Sequence, residues 1–333
     1  SLNKFRDEQD VLSAYLSYRY TLGQKWSFRG GLRLENTGQS VEYPEKTVQN
    51  FKNSYLSLVP SFSISYKLSS MQTLRTNYRM GMYRPGIWYL NPYNTSTDTL
   101  YVQKGNPDLK AEKYHNFSLG YDGNINKVYI GINLDYSLSN NSINSITELR
   151  NNVTYTTYDN IGKERRFGGW LSLSWSPNTK FRFSSNGGLN YAFYERGKGP
   201  TMQKNSGLSS NLFSDVSYTA PYKVRLGANL NYNSAQINSQ GKGSGYLQYN
   251  FNVSRNFLKN DRLSIRLYAN APFTKNREYK DITQTPTFYS ESHSFYPLRR
   301  YGISLYFRIG QMKVTMKETN RGISNDDVKG GGN

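Results

Sequence analysis

Alternation with a period of two residues runs through this chain almost from end to end, which commits it to strands and excludes a helical fold. The clearest run sets Val128, Ile130, Ile132, Leu134, Tyr136 and Leu138 on one parity, against Gly131, Asn133, Asp135 and Ser137 on the other. Val224, Leu226, Ala228, Leu230 and Tyr232 repeat the pattern, as do Leu247, Tyr249, Phe251 and Val253, and then Leu263, Ile265, Leu267 and Ala269. A soluble β-sandwich alternates in the same way, so a second criterion is needed. Length supplies one: many runs reach about 10 residues, whereas strands of ordinary globular sheets average about 5–6.

The connections supply another, because they alternate between tight and long. Tight turns fall at Leu22-Gly23-Gln24-Lys25, Ser69-Ser70-Met71, Gly123-Asn124-Ile125-Asn126, Pro177-Asn178-Thr179, Thr219-Ala220-Pro221 and Lys259-Asn260-Asp261. Between them lie longer polar stretches near residues 37–52, 85–111, 148–152, 196–203, 234–242 and 274–290. Short periplasmic turns alternating with longer extracellular loops characterise outer-membrane barrels, and a Greek-key sandwich has no reason to sort its loops so. Beside the tight turns, on the apolar parity, stand Tyr20, Trp26, Tyr66, Tyr121, Trp175, Phe181, Tyr218, Tyr222 and Phe257. Such a row suits a membrane interface, where a ring sits in lipid with its polar edge wet. The expected fold is therefore an all-β, antiparallel transmembrane β-barrel.

Composition agrees. Mean hydropathy is only -0.75, yet 15% of residues are aromatic and 30 are Tyr. A barrel tolerates this because only alternate residues meet lipid. No apolar run approaches the ~18 residues of a transmembrane helix. Cysteine is absent, which removes disulfides, thiol catalysis and cysteine-based metal sites. His115 and His293 are the two histidines, and no nucleophile–base arrangement accompanies them, so neither enzyme nor metal site nor cofactor is expected. The formal charge of +19 is scattered rather than blocked, which speaks against nucleic acid as a partner. Lipopolysaccharide phosphates, an acidic partner domain or an anionic substrate suit it equally.

Strands counted this way number about thirteen, ending with Arg300 to Gly310. Bacterial barrels have even counts, and a first strand running into a tight turn descends from outside. The expectation is that preceding strands and a signal peptide lie upstream, with residues 1–310 forming the C-terminal portion of a barrel. A complete barrel of about fourteen strands, with one more hidden in 274–298, is the alternative. Residues 311–333 read as a polar periplasmic tail, whose Asp326-Asp327 pair is taken as a solvated turn.

One stretch carries more than periodicity. Tyr83-Arg84-Pro85 is followed by Leu90-Asn91-Pro92-Tyr93 and then by Gly105-Asn106-Pro107-Asp108-Leu109-Lys110-Ala111-Glu112, which leads into a new strand. In order, spacing and strand context this resembles TonB-dependent outer-membrane receptors, with Ala111 where that family usually has Pro. Gly31-Leu32-Arg33-Leu34-Glu35 and the ending Tyr301 to Gly310 resemble other strands of the same barrels, in the "outer membrane β-barrel" subgroup. The resemblance implies about 22 strands in all, an N-terminal plug and a TonB box, neither of which is found here. It also implies the inner-membrane TonB complex as partner, lipopolysaccharide around the wall and an extracellular substrate-capture lipoprotein.

From these features the chain is expected to serve energy-coupled uptake of a large or scarce nutrient, with a passive channel as the alternative. Arg84, Trp88, Tyr89, Asn91 and Tyr93 are the candidate substrate contacts, although the prolines and Gly105-Asn106 favour a role in folding the loop. Asp108 and Glu112 are expected to accept hydrogen bonds from loop backbone. By parity Arg19, Arg29, Arg75, Arg182, Arg225, Arg266 and Arg308 point into the lumen near the tight turns, forming a basic ring that calls for an acidic plug.

Overall fold

The computed structural model describes residues 5–43, 50–94, 96, 98–197, 202–238, 241–285, 288–309 and 328–329. Its strands are β1 (Arg6–Leu22), β2 (Trp26–Glu42), β3 (Phe51–Ser69), β4 (Gln72–Pro85), β5 (Tyr101–Gln103), β6 (Glu112–Ile125), β7 (Val128–Arg150), β8 (Val153–Trp175), β9 (Phe181–Arg196) and β10 (Gln203–Thr219). There follow β11 (Val224–Asn233), β12 (Ile237–Asn238), β13 (Gly241–Lys242), β14 (Tyr246–Phe257), β15 (Leu263–Asn270), β16 (Asn276–Thr285), β17 (Phe288–Pro297), β18 (Arg300–Phe307) and β19 (Val328–Lys329), with a single helical turn, α1 (Ile87–Leu90). The wall is one antiparallel sheet in the order β1-β2-β3-β4-β6-β7-β8-β9-β10-β11-β14-β15-β18. Its thirteen strands match the expected count. Among the described residues β1 and β18 are its two edges and do not pair with each other.

Cross-strand register carries each face through the wall. Arg19 stands opposite Arg29, which opposes Ser63, and the row continues through Asn77, Ser118, Asp135, Gly168, Asn190 and Ser209. The other face carries Phe117, Tyr136, Phe167, Tyr191 and Leu208 in one row, every one of them exposed. Leu134, Phe251, Leu267 and Leu305 are likewise exposed, while Leu230 is partly covered. A face so apolar and so uncovered is stable against lipid and not against water. Beside the tight turns Trp26 packs on Tyr66 with ring centroids 4.4 Å apart, Trp175 meets Phe181 edge-on, and Tyr222 is 82% exposed. The aromatic row thus lies at the tight-turn rim, on the lipid face.

Two expectations change in space, and one further feature emerges. The stretch 148–152 is no loop: β7 and β8 each run 23 residues and close at Asn151 and Asn152. Both have positive φ, which asparagine tolerates in a two-residue hairpin turn. The stretch 274–298, where a fourteenth wall strand was considered, forms the β16–β17 hairpin instead. That hairpin joins β12 and β13 in a separate four-stranded sheet, so among the described residues no hidden strand enters the wall there. Finally, β3 and β4 pair only from Ser61 and Arg79 towards their turn. The ladder stops at Pro60, which has no N–H to give, and above it β3 pairs with β2 alone among the described residues. Of the expected tail, residues 311–327 and 330–333 lie outside the described residues, as does Gly310. Val328 and Lys329 pair in parallel with Arg84 and Pro85, at the loop end of β4.

Candidate functional site

Two places gather the residues singled out in the sequence. The first is the long loop after β4. Freed from β3, the end of β4 lies over the inward face of β2, where Arg84 makes an ion pair with Glu35 and its Nε donates to Thr37 Oγ1 at 3.0 Å. Arg33 also pairs with Glu35. Arg84 is 0% and Glu35 2% exposed, so this charge is enclosed by protein and turned away from solvent.

Beyond Pro85, α1 reverses the chain, and Asn91 returns its N–H to Ile87 O at 2.8 Å. Asn91 is buried; its Oδ1 accepts from the Tyr93 N–H and its backbone O from the Gly105 N–H. A Cβ on Gly105 would come within 2.6 Å of Asn91 and Tyr89 backbone atoms, so only glycine permits this approach. Leu90, Leu109 and Ile143 form a small buried cluster against Tyr89 and Tyr158. The Tyr89 and Tyr158 rings meet edge to face at 4.6 Å, and Tyr93 meets Tyr43 likewise.

Asparagine amides tie the loop to the β7–β8 hairpin. Asn106 Nδ2 donates to Tyr158 O, Asn160 Oδ1 accepts from the Lys110 N–H, and Asn141 Nδ2 donates to Ala111 O. The register of β7 against β8 slips between Ser139 and Ile143, which frees backbone groups there. Glu112 Oε2 accepts the Ile143 N–H at 3.2 Å, the backbone-acceptor role expected of Glu112. For Asp108 the described contact is its own N–H donating to Asn106 Oδ1. Of the five candidate contacts, then, Arg84 and Asn91 are enclosed, Tyr89 and Tyr93 are half-buried in ring contacts, and Trp88 is 57% exposed. Thr37, Asn141, Tyr158 and Asn160 were not singled out from sequence. Their only earlier sign was inward parity or a lone amide within a strand.

The second place is the lumenal face near the tight turns. Arg19, Arg29 and Arg75 line one cavity of about 1070 Å3, together with Lys67, Arg79 and Asp135. Arg182, Arg225 and Arg266 lie on the same face by register, and Arg308 follows β18, its N–H donating to Arg262 O. All seven arginines are exposed. Arg75 pairs with Asp122 at 3.3 Å. It is the one member of the ring with an ion-pair partner among the described residues, so the ring is not wholly without acid of its own.

The wall is similar to solved outer-membrane structures. These include a copper transporter, OprC (14% identity, TM-score 0.64, covering 89% of this chain and 47% of that one). The ferric yersiniabactin uptake receptor FyuA of Yersinia pestis matches at 16% identity and TM-score 0.65, over 91% of this chain and 46% of that one. The siderophore receptor PiuA of Acinetobacter baumannii matches at 15% and 0.63, over 91% and 44%. The chain thus spans under half the length of these structures. No curated protein matches it. Residues 1–307 match the model of the outer membrane protein β-barrel family. The resemblance to TonB-dependent receptors carried by the Arg84-Pro85 to Glu112 stretch holds at the level of the barrel, and the chain belongs to that β-barrel family of the bacterial outer membrane.

Proposed function

We propose that this chain is the wall of an energy-coupled, TonB-dependent uptake receptor for a nutrient too large or too scarce for diffusion pores. The observation that carries the reading is the one-sided basic ring. Seven arginines share the lumenal face, Arg19 directly faces Arg29, and only Asp122 answers any of them within the described residues. Like charges side by side on one face repel, and an acidic surface seated there relieves this. A plug presenting Asp and Glu towards the tight-turn end is such a surface. Substrate would enter from the loop end past Trp88. The metal and siderophore cargo named for the similar structures makes a metal chelate the first class to test, beside oligosaccharides and peptides.

In the full-length receptor in planar bilayers, replacing Arg75, Arg225 and Arg266 together with Gln loosens the plug and raises passive conductance. Unchanged conductance counts against the ring as a docking surface. Uptake that persists in cells lacking the inner-membrane energy-coupling complex supports a passive channel instead.

A further inference from the structure

Strand β3 is longer than a membrane crossing needs, and its upper half has parted from a neighbour. A tilted transmembrane strand crosses the hydrocarbon in about 9–11 residues. Counted up from the tight turn at Ser69, that length ends near Pro60, where the ladder to β4 stops. Within lipid an open strand edge is not tolerated, because its N–H and C=O groups find no partner, whereas water permits one. The parting of β3 from β4 thus falls where the strand leaves the bilayer. Above it β3 still pairs with β2 as far as Phe51, and among the described residues no strand covers its other edge.

Open edges are ordinarily blunted by proline or charge. Residues 53–59 carry neither, and Leu56 among them is 64% exposed. The freed end of β4 takes an added strand, since Val328 and Lys329 pair in parallel with Arg84 and Pro85. The freed edge of β3 borders a cavity of about 710 Å3 instead. Asn53, Tyr55 and Ser57 line it from β3, and Pro107 and Ala111 from the loop. Ser57 is 2% exposed, and its Oγ has no hydrogen-bond partner among the described residues. A buried hydroxyl left so is costly, and a ligand group that reaches it removes the cost.

We propose that this slot binds a short, extended, acidic peptide, which adds to the free edge of β3 as a strand. A polypeptide is the ligand that offers N–H and C=O groups at the spacing of a strand edge. The occupant is a free peptide and not the sheet of another protein or of a second copy. The loop from Pro107 to Ala111 walls the slot opposite β3, and its volume is that of a small-ligand pocket, about 300–1,000 Å3. Lys52, Lys110 and Lys113 line it against Asp108, so acidic side chains complement it. This assignment does not require energy-coupled uptake, and its test contains no transport step.

The full-length protein in non-ionic detergent is titrated with a fluorescent synthetic peptide of alternating Glu and Val, and binding is read by anisotropy. Two controls are the same peptide methylated at its backbone nitrogens and a peptide of alternating Lys and Val. The acidic peptide should bind about tenfold or more tighter than either control. Lys52→Glu/Lys110→Glu should reverse the preference between the acidic and basic peptides, and Ser57→Ala should weaken both. Heat-modifiable migration on gels checks that each variant is folded. A benzophenone-bearing acidic peptide should crosslink to residues 51–60 and 107–113, located by mass spectrometry. Equal binding of the methylated peptide, an unchanged preference in the folded charge-reversal variant, or crosslinks only elsewhere overturns the proposal. So does the absence of binding to the full-length protein, which would mean that a segment of the protein itself fills the slot.

Discussion

Arg84 and Glu35 show how much of the loop end rests on a single pair of side chains. Both are almost completely enclosed, on strands that are not neighbours in the sheet. A charge taken from water is tolerated only while its partner stays, and removing one partner of a buried pair typically costs about 3–5 kcal/mol. Arg33 shares the Glu35 carboxylate but is 45% exposed, so the loss of Glu35 strands the fully buried Arg84. Glu35→Ala should therefore lower unfolding stability in detergent by about that amount, measured by denaturant titration. The paired replacement Glu35→Leu/Arg84→Met should recover most of it, because a well-packed apolar pair can substitute for a buried ion pair. A fully tolerated Glu35→Ala would show that the carboxylate is not what holds the end of β4.

At the scale of elements, the β16–β17 hairpin lies outside the wall sheet, touching it where Arg277 covers the Tyr246 ring, and carries its own titrating cluster. His293 reaches Glu278 at 2.6 Å through Nδ1 and Glu291 at 2.5 Å through Nε2. Lys280 also pairs with Glu291 at 2.6 Å, and the Tyr289 hydroxyl donates to the same carboxylate. Hydrogen bonds to Glu291 and then Glu278 hold the His293 pKa above its ordinary 6.5. Donors from Lys280, Tyr289 and His293 depress Glu291 to about 2. A raised histidine stabilises the fold fully below its unfolded value, and the contribution fades as pH climbs through the folded one. A depressed carboxylate contributes above its unfolded value of 4.5, and the contribution fades as pH falls towards 2. Both are in force between about pH 4.5 and 6.5. Amide exchange of β16 and β17, corrected for intrinsic rates, should be slowest in that window and speed up on the alkaline side. His293→Gln should flatten the alkaline limb only, and an unchanged limb would remove His293 from the account.

For the whole molecule the decisive property is that the two faces meet different solvents. Leu134 sits in the exposed belt and Asn133, one residue earlier, faces inward beside Asp135. Leu134→Arg should cost about 2–4 kcal/mol, as expected for a cation near the bilayer midplane. Asn133→Lys should stay within about 0.5 kcal/mol, because it enters a wet, polar lumen beside a carboxylate. Comparing the refolding of both variants into lipid vesicles checks this, and similar costs for the two would contradict the assignment of faces.

Face and the number of wall strands followed from the sequence alone, because alternation is local: each residue's parity is fixed by its neighbours in the chain. That Arg75, Arg225 and Arg266 share one face could be read in advance for the same reason, since they inherit their parity from the strands that hold them. Glu112 as a backbone acceptor was legible because it stands where a loop meets a strand. Tertiary structure alone decided what depends on residues far apart. The burial of Arg84 against Glu35 requires β4 to leave β3 at Pro60 and cross over β2, a choice no local pattern records. The asparagine ties from Asn141 and Asn160 to the loop join segments 30 and 50 residues apart. The fate of residues 276–297 turned on which strands were free to pair.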